Sequence, residues 1–172
     1  MAEMDTLGGA AGLDEIELDV KIEAGDLYDY LLMHTYHSPS GLLGSGVGAV
    51  ALLVGMARGQ VIFVVAGIVL LCYLPWTLFL KSRQQAVNNP AFRAPLHYKL
   101  DETGITISQN DVEQHQEWGH MVKAVSTGHS IIVYTSRVNA TIFPKRVLAD
   151  KKTDVIKMIS THMPPSKVNI RN

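Results

Sequence analysis

The stretch EQHQEWGH sets His115, Glu117 and His120 within six residues, a density at which imidazole and carboxylate groups could hold a metal. On a strand, side chains alternate, so His115 and Glu117 would share a face while His120 points the other way. No HExxH spacing, no neighbouring cysteine and no fourth ligand at recognisable spacing accompanies them. The reading is solvated or hydrogen-bonded surface histidines. Leu7-Gly8-Gly9-Ala10-Ala11-Gly12 is rich in glycine but lacks the Lys-Ser/Thr of a phosphate loop and a strand before it. Nor does a local motif mark a Ser-His-Asp or Cys-His arrangement. No catalytic residue, metal or cofactor is therefore expected.

Lys145, Arg146, Lys151 and Lys152 are a different kind of candidate. They fall between a strand and the final helix, a place that can favour anions, and on a membrane-tethered domain they would lie near anionic headgroups. They are the candidate contacts for lipid or a protein partner, although Asp150 and Asp154 dilute the cluster. Trp118 reads as a core anchor rather than a ligand platform.

The elements that must position these groups follow from how charge is distributed. Lys and Arg number 15 and Asp and Glu 16, so there is no basic field of the kind that attracts nucleic acid. Between Pro39 and Leu80, however, Arg58 is the only charged residue. Gly41 to Leu80 is forty residues, and about twenty cross a bilayer core. Two helices over 39–57 and 60–80 are predicted, reversing at Arg58, Gly59 and Gln60. Arg58 then sits at the hairpin tip, where its long side chain reaches water, rather than being a buried functional charge. Ser38 suits the N-cap and Pro39 the first helical position.

Lys21 precedes the hairpin and Lys81, Arg83, Arg93 and Lys99 follow it, against Arg58 alone at the tip. By the positive-inside rule both soluble parts and both termini are expected in the cytoplasm, beneath an inner (cell) membrane crossed twice. Before residue 41 the chain is acidic and has no apolar run of signal-peptide type, so the hairpin itself is expected to direct insertion. The single cysteine, Cys72, lies inside the apolar segment and leaves no disulfide framework or CxxC pair.

Gly41, Gly44, Gly48, Ala51 and Gly55 recur at intervals of three and four, which puts small residues on one helix face. They are read as packing against the second helix, with a homo-oligomer seam as the alternative. Pro75 removes one hydrogen bond in the second helix.

Glu15 to Ile22 alternates apolar and charged residues as a half-buried strand does. A helix follows, with Asp26 as its cap, completing a segment over 14–38. Residues 1–13 are expected to be a flexible tail and 81–95 a linker. Residues 96–163 hold strands at Leu96 to Leu100 and Ile105 to Ser108, flanking a turn with Gly104 where a hairpin bulge would want glycine, then at Glu117 to Ser126, Ser130 to Thr135 and Ala140 to Phe143, and a helix over Asp150 to Met163. Residues 164–172 are a second tail. An isolated first strand has nothing to bury against, so it should share one sheet with the later strands. The fold class is an α+β membrane protein: a transmembrane helical hairpin inserted in a small antiparallel β domain closed by a C-terminal helix.

The order of VKIEAGDLYDY, two apolar spans, a strand pair around ETGI, EWGHMVKAV, SIIVYTS and IFPKRVL resembles the bacterial YcxB-like family of small membrane proteins over roughly residues 15 to 163. The resemblance implies a membrane-anchored cytoplasmic domain of pleckstrin-homology-like fold, and implies no activity. The expected role is a module for protein or lipid-headgroup interaction. A small membrane enzyme or oligomeric transport component is the alternative.

Overall fold

The computed structural model describes residues 15–170, and the tail expected over 1–13 lies outside them. Period-two patterning acts as expected in β1 (Ile16–Val20), which buries Ile16, Leu18 and Val20 and exposes Glu17 and Asp19. Three helices follow, α1 (Ala24–Tyr36), α2 (Pro39–Arg58) and α3 (Val61–Asn88), before the chain returns as β2 (Leu96–Leu100). β2 pairs antiparallel with β1, setting Leu18 opposite Tyr98. The helices are thus an insertion between neighbouring strands of one sheet, as the unpartnered first strand demanded.

β3 (Gly104–Gln109) and β4 (Val112–Glu117) complete that sheet in the order β1-β2-β3-β4. The second sheet contains β5 (Lys123–Ser126), β6 (Ser130–Tyr134) and β7 (Ala140–Pro144), each antiparallel to the next. A short α4 (Lys145–Leu148) leads towards α5 (Lys152–His162), whose Val155, Met158 and Ile159 are buried against side chains of both sheets, among them Leu100, Ile105, Ile131 and Phe143. Burying each such side chain contributes roughly 1.5–3 kcal/mol, so this shared core fixes the two sheets to one another.

Four expectations need correction. The strand expected over Glu117 to Ser126 is two strands: β4 ends at Glu117, and Trp118–His120 form a 3-10 turn before β5. The turn buries Trp118, whose Nε1–H donates to the Asp101 carbonyl at 2.8 Å. Gly104, read as a bulge glycine, has no positive φ; its need is for space, because a Cβ there would lie 2.1 Å from the Gln116 carbonyl oxygen. Residues 164–170 are not a tail, since β8 (Val168–Asn169) joins β5 in parallel and makes the second sheet mixed. Finally, α3 runs eight residues past Leu80, with Ser82 buried and Ala86 packed on the domain core, which shortens the linker expected over 81–95.

The start of α2 and the reversal at its end fall where expected. Ser38 Oγ accepts from the Gly41 N–H at 3.2 Å, Pro39 opens α2, and Gly59 closes it at φ +66° in the left-handed region that glycine adopts without strain. At about 1.5 Å per residue α2 is roughly 30 Å long. Both helices carry their large apolar side chains outward, with Leu43 71%, Val61 73% and Ile62 77% exposed. By length and composition both could cross a membrane.

Candidate functional site

Lys145 and Arg146 do meet in a cavity, of about 480 Å³, formed where the N-terminal half of α1 faces the β5–β6 turn and the end of β7. Acids from α1 meet them there. Arg146 bonds the carboxylate of buried Asp26, approaches Glu23 at 3.6 Å and donates to the Lys21 carbonyl at 3.0 Å. Asp26 is not itself the N-cap; it occupies the third position of α1 and accepts from the Glu23 N–H at 2.8 Å. Its side chain thus ends the helix and neutralises the guanidinium together. Lys145 Nζ donates to the Thr127 carbonyl, and the Thr127 hydroxyl donates to Asp29 at 2.6 Å.

Lys151 sits away from this cavity, with Nζ donating to the Glu17 carbonyl at 2.9 Å, and Lys152 is half-buried at the start of α5. The basic corner is therefore mostly engaged in joining β1, α1 and the second sheet. The carboxylate that answers Arg146 lies 120 residues earlier in the chain, which is why no local pattern revealed it. Tyr98, buried beside this region, has its phenol pushed well above the ordinary range by burial and by the charge of Asp26.

The histidine cluster does not assemble. His115 Nδ1 and Thr106 Oγ1 lie 2.8 Å apart across the β3–β4 pair, while His120 and Glu117 approach only to 3.8 Å, both exposed. Among the described residues no group of three or more histidine, cysteine or acidic side chains could hold a metal. Asp101 instead serves the turn between β2 and β3: the Thr103 hydroxyl, with the Thr103 and Gly104 N–H groups, donates to its carboxylate and holds its pKa below the ordinary range.

The glycine stripe turns inward. A Cβ on Gly48 would lie 3.0 Å from Leu71, and one on Gly55 2.6 Å from the Val64 nitrogen, both in α3. Gly41 has another reason to be small, because a Cβ would meet the Thr35 carbonyl oxygen at 2.1 Å where α1 turns into α2. Gly44 has only Leu74 at 3.7 Å, and Ala51 is half-buried. Gly67 on α3 completes the seam and was missed, being a lone glycine in an apolar run. Arg58 ends α2 exposed at the tip beside Gly59 and Gln60.

A second cavity, about 390 Å³, lies where α1 ends and α2 begins. Its floor is aromatic. The lining rings of His34 and Tyr134 have centroids 6.4 Å apart, Tyr30 packs behind them at 5.8 and 6.0 Å, and Lys123 Nζ lies 4.6 Å above the Tyr134 ring. Burial pushes the Tyr134 hydroxyl up to about 12, with Tyr30 adding to the effect, and raises Tyr30 as well. The Tyr30 hydroxyl donates to the Val138 carbonyl at 2.8 Å, tying α1 to the β6–β7 turn. That turn is shaped by Ser136 Oγ, which accepts from the Asn139 N–H at 2.9 Å, and it brings Arg137 to the rim. His37 and Ser38 complete the wall, His37 Nδ1 lying 2.8 Å from the Met33 carbonyl oxygen and Ser38 Oγ donating to the Thr35 carbonyl at 2.7 Å. The junction of α1 and α2 and the much later region from β5 to the β6–β7 turn build this cavity together, so no spacing rule could have found it.

These features define a class: a two-sheet α+β domain with an apolar helical hairpin inserted after its first strand. Residues 100–159 match the family described as YcxB-like protein, so the resemblance read from the sequence is borne out over that segment. No curated protein and no solved structure matches the chain.

Proposed function

We propose that this chain is an integral membrane protein. The α2–α3 hairpin crosses the inner (cell) membrane twice and holds the two-sheet domain against its cytoplasmic face, where the domain serves as a pleckstrin-like interaction module. The observation that carries this reading is the contrast within the hairpin: glycines close the seam between the helices, while Leu43, Val61 and Ile62 face outward. In water such a surface would be a severe aggregation liability; in lipid it is the expected exterior.

Charge and aromatic placement support the orientation. Lys81 and Arg83 are exposed on α3 where it reaches the domain, Arg83 lying 5.1 Å from the Phe79 ring centre, and Tyr73 and Trp76 are exposed one to two turns earlier. The pleckstrin-like reading is supported by two sheets of mainly antiparallel strands closed by a C-terminal helix. An oligomeric transport component would need a free small-residue face, whereas Gly48, Gly55 and Gly67 already pack within the hairpin.

The test is protease accessibility in oriented vesicles. With an epitope at the C-terminus, trypsin should remove it from inside-out vesicles and spare it in right-side-out ones, and alkaline carbonate should leave the protein in the membrane. Release by carbonate would reject the anchor, and the opposite protection pattern would reject the orientation.

A further inference from the structure

The second cavity is lined by Lys123, Arg137, His34 and His37 and by no acid. This sets it apart from the cavity at Arg146, where Glu23, Asp26 and Asp29 balance the cations. Among the described residues neither Lys123 nor Arg137 forms an ion pair, and both are exposed. Cations held together without counter-charge repel one another, and an anion removes that repulsion. The walls are also fixed in advance, by the Tyr30 and Ser136 hydrogen bonds on one side and the Ser38 bond on the other. Little ordering would be lost on binding.

Position identifies the anion. The cavity opens beside Ser38 and Pro39, the first residues of α2, so on the membrane reading it lies at headgroup depth. Its apolar lining is Pro39, Val122 and the Tyr134 ring, surfaces suited to the glycerol end of a lipid rather than to a fully hydrated ion. We propose that this cavity binds the phosphate of an anionic phospholipid headgroup, with Lys123 and Arg137 as its charged ligands. Docked there, the lipid would link the β5 and β6–β7 side of the domain to the start of the hairpin and hold the domain against the bilayer.

The inference rests on the hairpin being in the membrane, and the test separates the two. Full-length protein is placed in nanodiscs of phosphatidylcholine with or without phosphatidylglycerol, and retained lipid is counted by native mass spectrometry on release. The wild type should keep one phosphatidylglycerol in preference to phosphatidylcholine. The variant Lys123→Ala/Arg137→Ala should bind it about twenty-five-fold more weakly, roughly fivefold for each cation removed near an anionic lipid. Lys157→Ala, an exposed cation on α5, should behave as wild type. Equal retention by the double variant, with its melting temperature unchanged, would overturn the proposal. Inorganic phosphate bound in pure phosphatidylcholine discs, with the same dependence on Lys123 and Arg137, would assign the cavity to free phosphate and reject the lipid. Failure of the protein to enter any disc would instead reject the membrane reading.

Discussion

Gly67→Ala adds one methyl group where α3 meets α2, and the geometry fixes what it meets. The new Cβ would lie 2.6 Å from the Leu52 nitrogen and 2.9 Å from both the Gly48 oxygen and the Leu52 Cα. All three are backbone atoms, so no rotamer change relieves the contact. Restoring a separation of about 3.5 Å requires the helices to part by about 1 Å, which opens the seam on both sides of the site. Overpacking of this kind costs about 1–3 kcal/mol, while alanine returns about 0.5–1 kcal/mol over glycine in a helix. The net expectation is a loss centred on about 1 kcal/mol and reaching about 2.5 kcal/mol at most, so roughly fivefold in the unfolding equilibrium at the centre. Gly46→Ala is the internal control, since its Cβ meets nothing within 4 Å and only the helix gain applies. Reversible unfolding of the full chain in mixed micelles with increasing dodecyl sulfate, followed by circular dichroism, reads both. Opposite signs are predicted; a Gly67→Ala protein as stable as Gly46→Ala would refute the seam.

Other consequences are less demanding to measure. Arg146→Met leaves the buried Asp26 carboxylate without its partner and should cost about 2–3 kcal/mol, below the full buried-pair penalty because Arg146 is 41% exposed. Adding Asp26→Asn should recover part of that loss, and additive effects in the double-mutant cycle would contradict the pairing. His97 bonds Asp19 at 2.9 Å with Glu17 also near, and the Asp19 bond chiefly raises its pKa. Its contribution is thus complete below the ordinary value of 6.5 and is lost as pH rises through the higher folded value, so the melting difference between wild type and His97→Ala should shrink as the pH is raised above 6.5. Asp101 has the opposite sign: its depressed pKa gives stability above 3.8 that disappears as pH falls through the lower folded value. The deficit of Asp101→Asn should therefore narrow in acid, and a constant deficit would show that the carboxylate charge plays no part.

Much of the architecture was legible because single residues or strict periods enforce it. EIELDVKI could only be half buried, and Ser38, Pro39 and Gly59 mark the hairpin by backbone requirements that hold whatever surrounds them. What escaped notice lacked such local signatures. The segment VEQHQE is an edge strand with almost every side chain exposed, so its pairing with β3 leaves no alternation to read. Two-residue β8 is too short for a pattern, and the end of α3 is polar though helical, packing through the small side chains of Ser82 and Ala86.

The candidate site shows the same division more sharply. Lys145 and Arg146 were found as cations, but their effect depends on Asp26 and the Thr127 carbonyl, which only the folded chain brings to them. Lys123 and Arg137 attracted no notice as isolated surface cations. They become a site because the Tyr30 hydroxyl draws the β6–β7 turn against the end of α1.

The most direct test of the account uses its one cysteine. Cys72 is exposed on α3, so its accessibility is controlled by whatever surrounds that helix. In intact inside-out and right-side-out vesicles, an impermeant maleimide should leave Cys72 unlabelled on both sides and react with it only after detergent denaturation. In a Cys72→Ala background, Gln60→Cys at the hairpin turn should label from the outer side alone. Labelling of native Cys72 in sealed vesicles of either orientation would contradict a hairpin embedded in lipid.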